Sequence, residues 1–141
     1  MNFNIVNDCH GVDWNALRDI LKSAGMGYHS ADKHQRAFEA SYTSTFIYSN
    51  NDKLIGFGRA ISDGEYQAAI YDCAVDPAYQ GLGIGTLIVQ NILDKIPECN
   101  VILYASPGKE GFYQKHQFRK MKTGMALFTD RAAKTANGFT E

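Results

Sequence analysis

No Cys-x-x-C pair, no apolar run of membrane-spanning length and no block of one charge sign occurs in this 141-residue chain. Each absence removes a class. The three cysteines, Cys9, Cys73 and Cys99, are odd in number and scattered. That argues against a disulfide framework or a zinc site, and makes a reduced, cytoplasmic protein without a bound metal the expectation. Fourteen Lys and Arg against fifteen Asp and Glu leave a formal charge of −1, which is poor provision for a nucleic-acid partner. No apolar stretch reaches the roughly 18 residues of a membrane span, so no membrane association is expected. The start, Met1-Asn2-Phe3-Asn4-Ile5, does not pass from a basic region to an apolar one as a secretory leader does. What is present is ordinary globular material: 45% hydrophobic residues and a length suited to one domain over residues 1–141.

Periodicity divides the chain into short elements. Phe3 to Val6 reads as a strand. Trp14, Leu17, Ile20, Leu21 and Ala24 keep helical spacing after Asp13, a candidate N-cap, and Gly25-Met26-Gly27 stops that helix. Asp32 to Ala40 reads as a second helix with Ala37 and Phe38 on its apolar face. Thr43–Ser49, Leu54–Ile61 and Tyr66–Val75 read as three strands joined by tight turns at Asn50–Lys53 and Ser62–Glu65, hence an antiparallel meander. Ile84 to Ile96 carries an apolar stripe wide enough to pack on a sheet, and Pro97 ends it. Val101 to Ala105 is a strand that this crossover helix allows to pair parallel to Tyr66–Val75. A short helix near Glu110–His116 and a last strand near Met125–Thr129 follow, and the polar, small-residue segment from Arg131 to Glu141 is expected to fray. The fold class is therefore α/β of the α+β kind: a mixed, mostly antiparallel sheet with helices around it.

The densest chemistry sits between the third meander strand and the long helix, in Asp76-Pro77-Ala78-Tyr79-Gln80-Gly81-Leu82-Gly83-Ile84-Gly85-Thr86. A strand, a glycine turn and a helix start together make an anion cradle: the first helical N–H groups have no partner inside the helix, and the helix dipole adds partial positive charge. Glycine lets the backbone approach a phosphate without a Cβ in the way. A dinucleotide-binding turn requires G-x-G-x-x-G, but Thr86 stands where its last glycine would fall. A P-loop requires Gly-Lys-Ser/Thr, and Gly108-Lys109-Glu110 lacks the hydroxyl residue. Gln80-x-x-Gly83-x-Gly85 remains. Downstream, Gly111-Phe112-Tyr113-Gln114-Lys115-His116-Gln117-Phe118 follows the strand Val101–Ala105 and the turn Ser106-Pro107-Gly108.

In that order and spacing the two motifs resemble the acyl-CoA loop and the Phe-Tyr-x-Lys-x-Gly-Phe segment of the GNAT superfamily of N-acetyltransferases, most strongly from about Leu54 to Phe128. The resemblance implies the GNAT sheet, with a splayed central pair of parallel strands, and acetyl-CoA as co-substrate. By that resemblance Gln80, Gly81, Leu82, Gly83, Ile84, Gly85 and Thr86 hold the pyrophosphate, chiefly through the amides of Leu82 to Thr86 with the Gln80 side chain assisting. Cys73, Ala74 and Val75 face the pantetheine arm, which pairs with their strand as an added strand would. A backbone N–H in this stretch polarises the thioester carbonyl. Lys115 contacts a CoA phosphate or is a solvated surface lysine. The superfamily also makes a homodimer possible.

Tyr113 matches the family tyrosine that protonates the departing thiolate, and a thiol near pKa ~8.5 and a phenol near ~10 are close enough to share a proton. The alternative is a core tyrosine beside Phe112. Asp72, a carboxylate inside the apolar run Ile70-Tyr71-Asp72-Cys73-Ala74, is a candidate general base or ammonium ligand. Against this stands a structural pair with Arg59 on the neighbouring strand, or a water relay as the base. Alternation groups Asp72 with Ile70 and Ala74 unless a bulge resets the parity. Tyr28, His29, His34, Phe38, Arg59, Tyr42 and Tyr104 are candidates for the acceptor site, with cation–π contact to an amine in view. For His29 and His34 an exposed helix face is the plainer reading, and for the aromatics core packing. Gln117 stands where the family has the glycine that ends the helix in the left-handed conformation. The expected activity is acetyl transfer from acetyl-CoA to a primary amine of a small molecule. A protein or peptide acetyltransferase and a CoA-binding module without turnover are the alternatives.

Overall fold

Ile5 and Val6 fall in a three-residue strand, β1 (Asn4–Val6), after which Asp13 caps the first helix as its position suggests: its carboxylate accepts the Ala16 N–H at 3.0 Å, and α1 runs Trp14–Ser23. Ser30 does the same for α2 (Ala31–Glu39), its hydroxyl accepting the Lys33 N–H at 3.3 Å. The meander follows as β2 (Thr43–Tyr48), β3 (Leu54–Ser62) and β4 (Gln67–Val75). The turn between β3 and β4 is organised by one carboxylate. Asp63 accepts the N–H groups of Glu65, Tyr66 and Gln67 at 2.8, 2.9 and 3.2 Å, and those donors hold its pKa below the usual carboxylate value. A single 3-10 turn (Pro77–Tyr79) leads to α3 (Ile84–Asp94), then β5 (Asn100–Ile102), α4 (Glu110–Gln114) and α5 (Arg131–Ala136). The structure is a computed structural model and describes residues 2–141. By contact the chain divides into one unit ending at Leu103 and a second from Tyr104 to Glu141.

In the first unit the five strands form one sheet in the order β1-β2-β3-β4-β5, antiparallel except for the parallel β4–β5 pair. This is the mixed, mostly antiparallel architecture the pattern indicates. Cross-strand register sorts its side chains. Phe46, Phe57 and Ala74 lie opposite one another and share a core with Leu17, Ile20, Leu21 and Phe38 from α1 and α2. The other face receives α3, whose Ile84, Ile88, Val89 and Ile92 are buried. Two strand glycines make that approach possible. A Cβ on Gly56 would stand 3.0 Å from Ile84 Cγ2, and one on Gly58 would stand 2.7 Å from Cys73 Sγ and 2.8 Å from Ile88 Cγ2. Asn91 of α3 is tied to the sheet by Thr45 Oγ1 at 2.8 Å and Asn7 Nδ2 at 2.6 Å.

The second unit departs from the sequence reading in two places. No strand forms at Met125–Thr129: Met125 is 97% and Leu127 82% exposed, and no strand pairs with the run. An apolar run without a ladder partner leaves its backbone groups unsatisfied by the sheet. The expected fraying of Arg131–Glu141 is also replaced by structure. Asp130 caps α5 by accepting the Ala133 N–H at 3.0 Å, and Gly138, at φ 82°, closes it with Phe139 N–H donating to Lys134 C=O at 2.9 Å. The strand expected at Val101–Ala105 is shorter and shifted, Asn100–Ile102.

Candidate functional site

Beyond Ala69, β4 and β5 part. Their parallel ladder consists of Gln67↔Asn100, Ala68↔Val101 and Ala69↔Ile102 and extends no further. The segment Tyr71–Val75 thus keeps β3 on one side and has no β5 partner on the other, the opening into which an extended chain can add as a strand. Cys73, Ala74 and Val75 all lie on it.

The same segment carries a bulge. Phe57 faces Ala74 and Arg59 faces Tyr71, so Gly58 alone stands opposite both Asp72 and Cys73. Asp72 takes the left-handed conformation, φ 55°, a position that costs a non-glycine residue on the order of 1–2 kcal/mol. The extra residue resets the alternation: Ile70 pairs with Ala60 and Ala74 with Phe57, which puts Ile70 and Ala74 on opposite faces. Arg59 braces the bulge. Its Nε donates to Asp72 Oδ2 at 2.8 Å, its Nη1 donates to Ser41 Oγ at 3.3 Å, and its guanidinium lies 5.6 Å from the Phe38 ring and 5.5 Å from the Tyr71 ring. The side chains of Arg59 and Asp72 are 15% and 25% exposed. The pairing weighed against a catalytic role is therefore present, and it ties the Asp72 carboxylate to β3.

From the end of β4 the chain enters the glycine turn. The Asp76 N–H donates to Ile55 C=O at 2.8 Å, and the Asp76 carboxylate accepts the Ala78 N–H at 3.0 Å, starting the 3-10 turn at Pro77. Gln80 folds back, its Nε2 donating to Val75 C=O at 3.4 Å. Gly81 and Gly83 have φ 81° and 83°, and at neither would a Cβ meet any atom within 4 Å. Gly83 precedes α3 without a side-chain cap, and the Leu87 N–H donates to the Gly83 C=O at 3.2 Å. Gly83, Ile84, Gly85 and Thr86 thus present a helix start with open space before it. An anionic group fits here on three counts: uncapped amides, a positive dipole end and no Cβ in the approach. Leu82, half-exposed, adds no charge of its own.

The acceptor candidates separate into open and closed positions. Tyr28 and His29, with Asn15, Arg18, Ser30 and Ala31, line a shallow, open cleft of about 450 Å³ between α1 and α2. Arg18 and Lys22 lie 5.4 and 5.8 Å from the Tyr28 ring centroid. Two readings are corrected. Phe38 is 1% exposed and belongs to the core, where its ring meets Trp14, Phe46 and Phe57, so it offers no wall to a substrate. His34 is not on an exposed helix face; it is 4% exposed, and its Nε2 accepts the His29 N–H at 2.8 Å. Helical periodicity alone does not distinguish a buried histidine with a local backbone partner from a solvated one. Ser41, Tyr71 and Arg18 likewise carry no signal in the sequence, since their contacts arise across strands and helices.

In the second unit Tyr113 lies on α4 with its ring 5.0 Å from Phe112 and 6.0 Å from Phe118. Lys115 follows at the exposed end of that helix. Gln117 does adopt the left-handed conformation, φ 71°, and Phe118 N–H donates to Tyr113 C=O at 3.2 Å, the closure that glycine usually supplies. Tyr104, half-exposed, packs edge-on against Phe128 and Phe139, and the Lys134 ammonium lies 4.1 Å from the Phe139 centroid. Among the described residues no group of three or more His, Cys, Asp or Glu is placed to hold a metal ion, and no helix is long and apolar enough to cross a membrane.

Comparison with known proteins agrees with this geometry. Residues 8–118 match the model of the acetyltransferase (GNAT) family. The chain is 28% identical over 138 residues to serotonin N-acetyltransferase 2, chloroplastic, of Oryza sativa subsp. japonica, covering 92% of this chain and 69% of that protein. It is 31% identical over 109 residues to an uncharacterized ycf52-like N-acetyltransferase of Prochlorococcus marinus, covering 73% of this chain and 61% of that one. It thus spans roughly two thirds of the length of these two relatives. In three dimensions it resembles a probable acetyltransferase from Staphylococcus aureus, with a TM-score of 0.78 at 24% identity over 90% of this chain and 99% of that one. With the split sheet, the uncapped glycine turn and a family match over most of its length, the chain belongs to the GNAT family of acetyltransferases.

Proposed function

We propose that the protein transfers an acetyl group from acetyl-CoA to the primary amine of a small molecule. The observation that carries this reading is the continuity of three features along one stretch of chain: the strand opened beyond Ala69, the bulge at Asp72 and the left-handed glycine turn before α3. A long, narrow thioester with a pyrophosphate at one end matches that order of an open strand edge and an anion cradle. Acetyl-CoA supplies the activated acetyl group. Amides of Gly83 to Thr86 and the α3 dipole hold its pyrophosphate, and the Tyr71–Val75 edge aligns the pantetheine. The amine attacks the thioester carbon, the C–N bond forms and the C–S bond breaks. Water carries the amine proton away, and Tyr113 gives its phenolic proton to the thiolate. Asp72, on the stretch of β4 beyond Ala69, is assigned to the acceptor's ammonium before it loses its proton.

The name of the rice relative, a serotonin N-acetyltransferase, favours a small amine over a peptide. The three cysteines, none bonded to another, suit a reducing compartment, and we place the protein in the cytoplasm on that ground. The test is a thiol-release assay with acetyl-CoA across aromatic amines, polyamines, amino sugars, aminoglycosides and peptides, with the acetylated product identified by mass. Amide formation with a small amine supports the proposal. Release with peptides alone would move the function to protein acetylation, and tight CoA binding with no release would leave a binding module.

A further inference from the structure

The buried histidine of α2 is given no step in the proposed transfer, yet it is bonded to the wall of the Tyr28–His29 cleft. His34 is 4% exposed, on a helix whose N-terminal half is otherwise open to solvent, where burial of an imidazole requires a hydrogen-bonding reason. That reason is local. The ring Nε2 accepts the His29 N–H at 2.8 Å, and the His34 N–H donates to the Ser30 C=O at 3.1 Å. Side chain and backbone of one residue therefore fix both 29 and 30, two of the residues that line the cleft. The His29 and His34 rings also pack at 5.6 Å. An imidazole nitrogen that accepts an N–H cannot carry a proton, so the latch exists only in the neutral ring, with its proton on Nδ1.

We infer that His34 is a positioning residue for the acceptor: by accepting the His29 N–H it holds the Tyr28–Ser30 wall in place, and it releases that wall when the imidazole is protonated. The inference rests on the reading of the Tyr28–His29 cleft as the acceptor site. The groups that face His34 come from every neighbouring element. Asp72 of β4 favours its protonation, while Arg59 of β3, Arg18 of α1 and His29 of the loop oppose it; burial, the largest influence, also opposes it and lowers its pKa. The sign follows. The unfolded chain takes up the proton near pH ~6.5 and the folded one only at lower pH, so the latch is intact above that value and is lost as pH falls through the folded pKa.

Two measurements test this on the full chain. Amide hydrogen exchange of Tyr28–Ala31, expressed as protection factors, is followed from pH 7.5 to 5 in wild type, His34→Leu and His34→Gln. In parallel, KM for the best amine and KM for acetyl-CoA are measured. His34→Leu should lower protection at His29 about tenfold and raise the amine KM about fivefold, with kcat and the acetyl-CoA KM little changed; each is worth roughly one hydrogen bond. His34→Gln, which keeps an acceptor, should recover much of both. Wild-type protection should fall only below pH ~6.5, and in neither variant should it show that step. Protection at His29 that is indifferent to His34→Leu and to pH would overturn the latch even if no amine is ever found to react. A lost latch with an unchanged amine KM would overturn the positioning role while leaving acetyl transfer intact.

Discussion

Arg59 and Asp72 show how a single pair can hold an unfavourable backbone in place. The carboxylate sits on a left-handed residue that would ordinarily be glycine, and the guanidinium that meets it is packed between Phe38 and Tyr71. Replacing Arg59 by Met should therefore cost more than a surface ion pair does. With the pair only partly exposed we expect about 2 kcal/mol, read as a lower denaturant midpoint, and Asp72→Asn in the Arg59→Met background should cost little more. An Arg59→Met midpoint equal to wild type would mean that the bulge holds itself. Tyr113 stands apart, since the role proposed for it is chemical. Tyr113→Phe should lower kcat about tenfold or more and leave acetyl-CoA affinity within about twofold, as loss of a proton donor demands. Wild-type turnover in that variant would remove the phenol from the mechanism. From the sequence, Asp72 was visible as a carboxylate in an apolar run, but its conformation was not. Alternation is a rule for regular strands, and one extra residue opposite Gly58 reverses it. His34 was misread for a related reason: its partner, the His29 N–H, is a backbone group, and no side-chain pattern advertises it.

The strand β3 and the helix α3 depend on each other through Gly56 and Gly58. A β-branched residue would suit a strand better than glycine, yet the helix lies so close that a Cβ at Gly58 would press on Cys73 and Ile88 at 2.7 and 2.8 Å. Gly58→Ala should cost about 1–3 kcal/mol by overpacking, seen as a lower Tm, and it should also disturb the bulge, because Cys73 is one of the two residues opposite. An unchanged Tm would show that α3 has room to retreat. The meander, its turns, the capped start of α1 and the apolar stripe of α3 were legible because each rests on local patterns: Asp13 before Trp14, Ser62–Glu65 between two β-rich runs, and isoleucines at helical spacing. The C-terminal part was not. Met125–Thr129 has strand composition but no partner. In contrast, Asp130, the alanines of α5 and Gly138 were a start, a body and a stop that a reading based on polarity passed over.

The proposed donor site belongs to one unit of the chain and uses little but backbone. The strand opening, the left-handed glycines and the start of α3 all lie before Leu103, and they ask for shape and amide direction more than for side-chain identity. That is why the motif Gln80-x-x-Gly83-x-Gly85 was informative in the sequence and why the acceptor was not. The cleft at Tyr28 and His29 is built by loop and helix residues whose spacing follows no pattern, and a latch such as His34 becomes visible only in three dimensions. Acetyl-CoA binding depends most on the cradle. Calorimetric titration of acetyl-CoA into wild type and into Gly83→Glu tests it most directly. Wild type should bind, and the variant, which places a Cβ at φ 83° and a carboxylate before the uncapped amides of α3, should lose affinity by about a hundredfold or more while keeping the fold seen by circular dichroism. Equal affinity in the two proteins would contradict the account, for the glycine turn would then be a connection between a strand and a helix and nothing more.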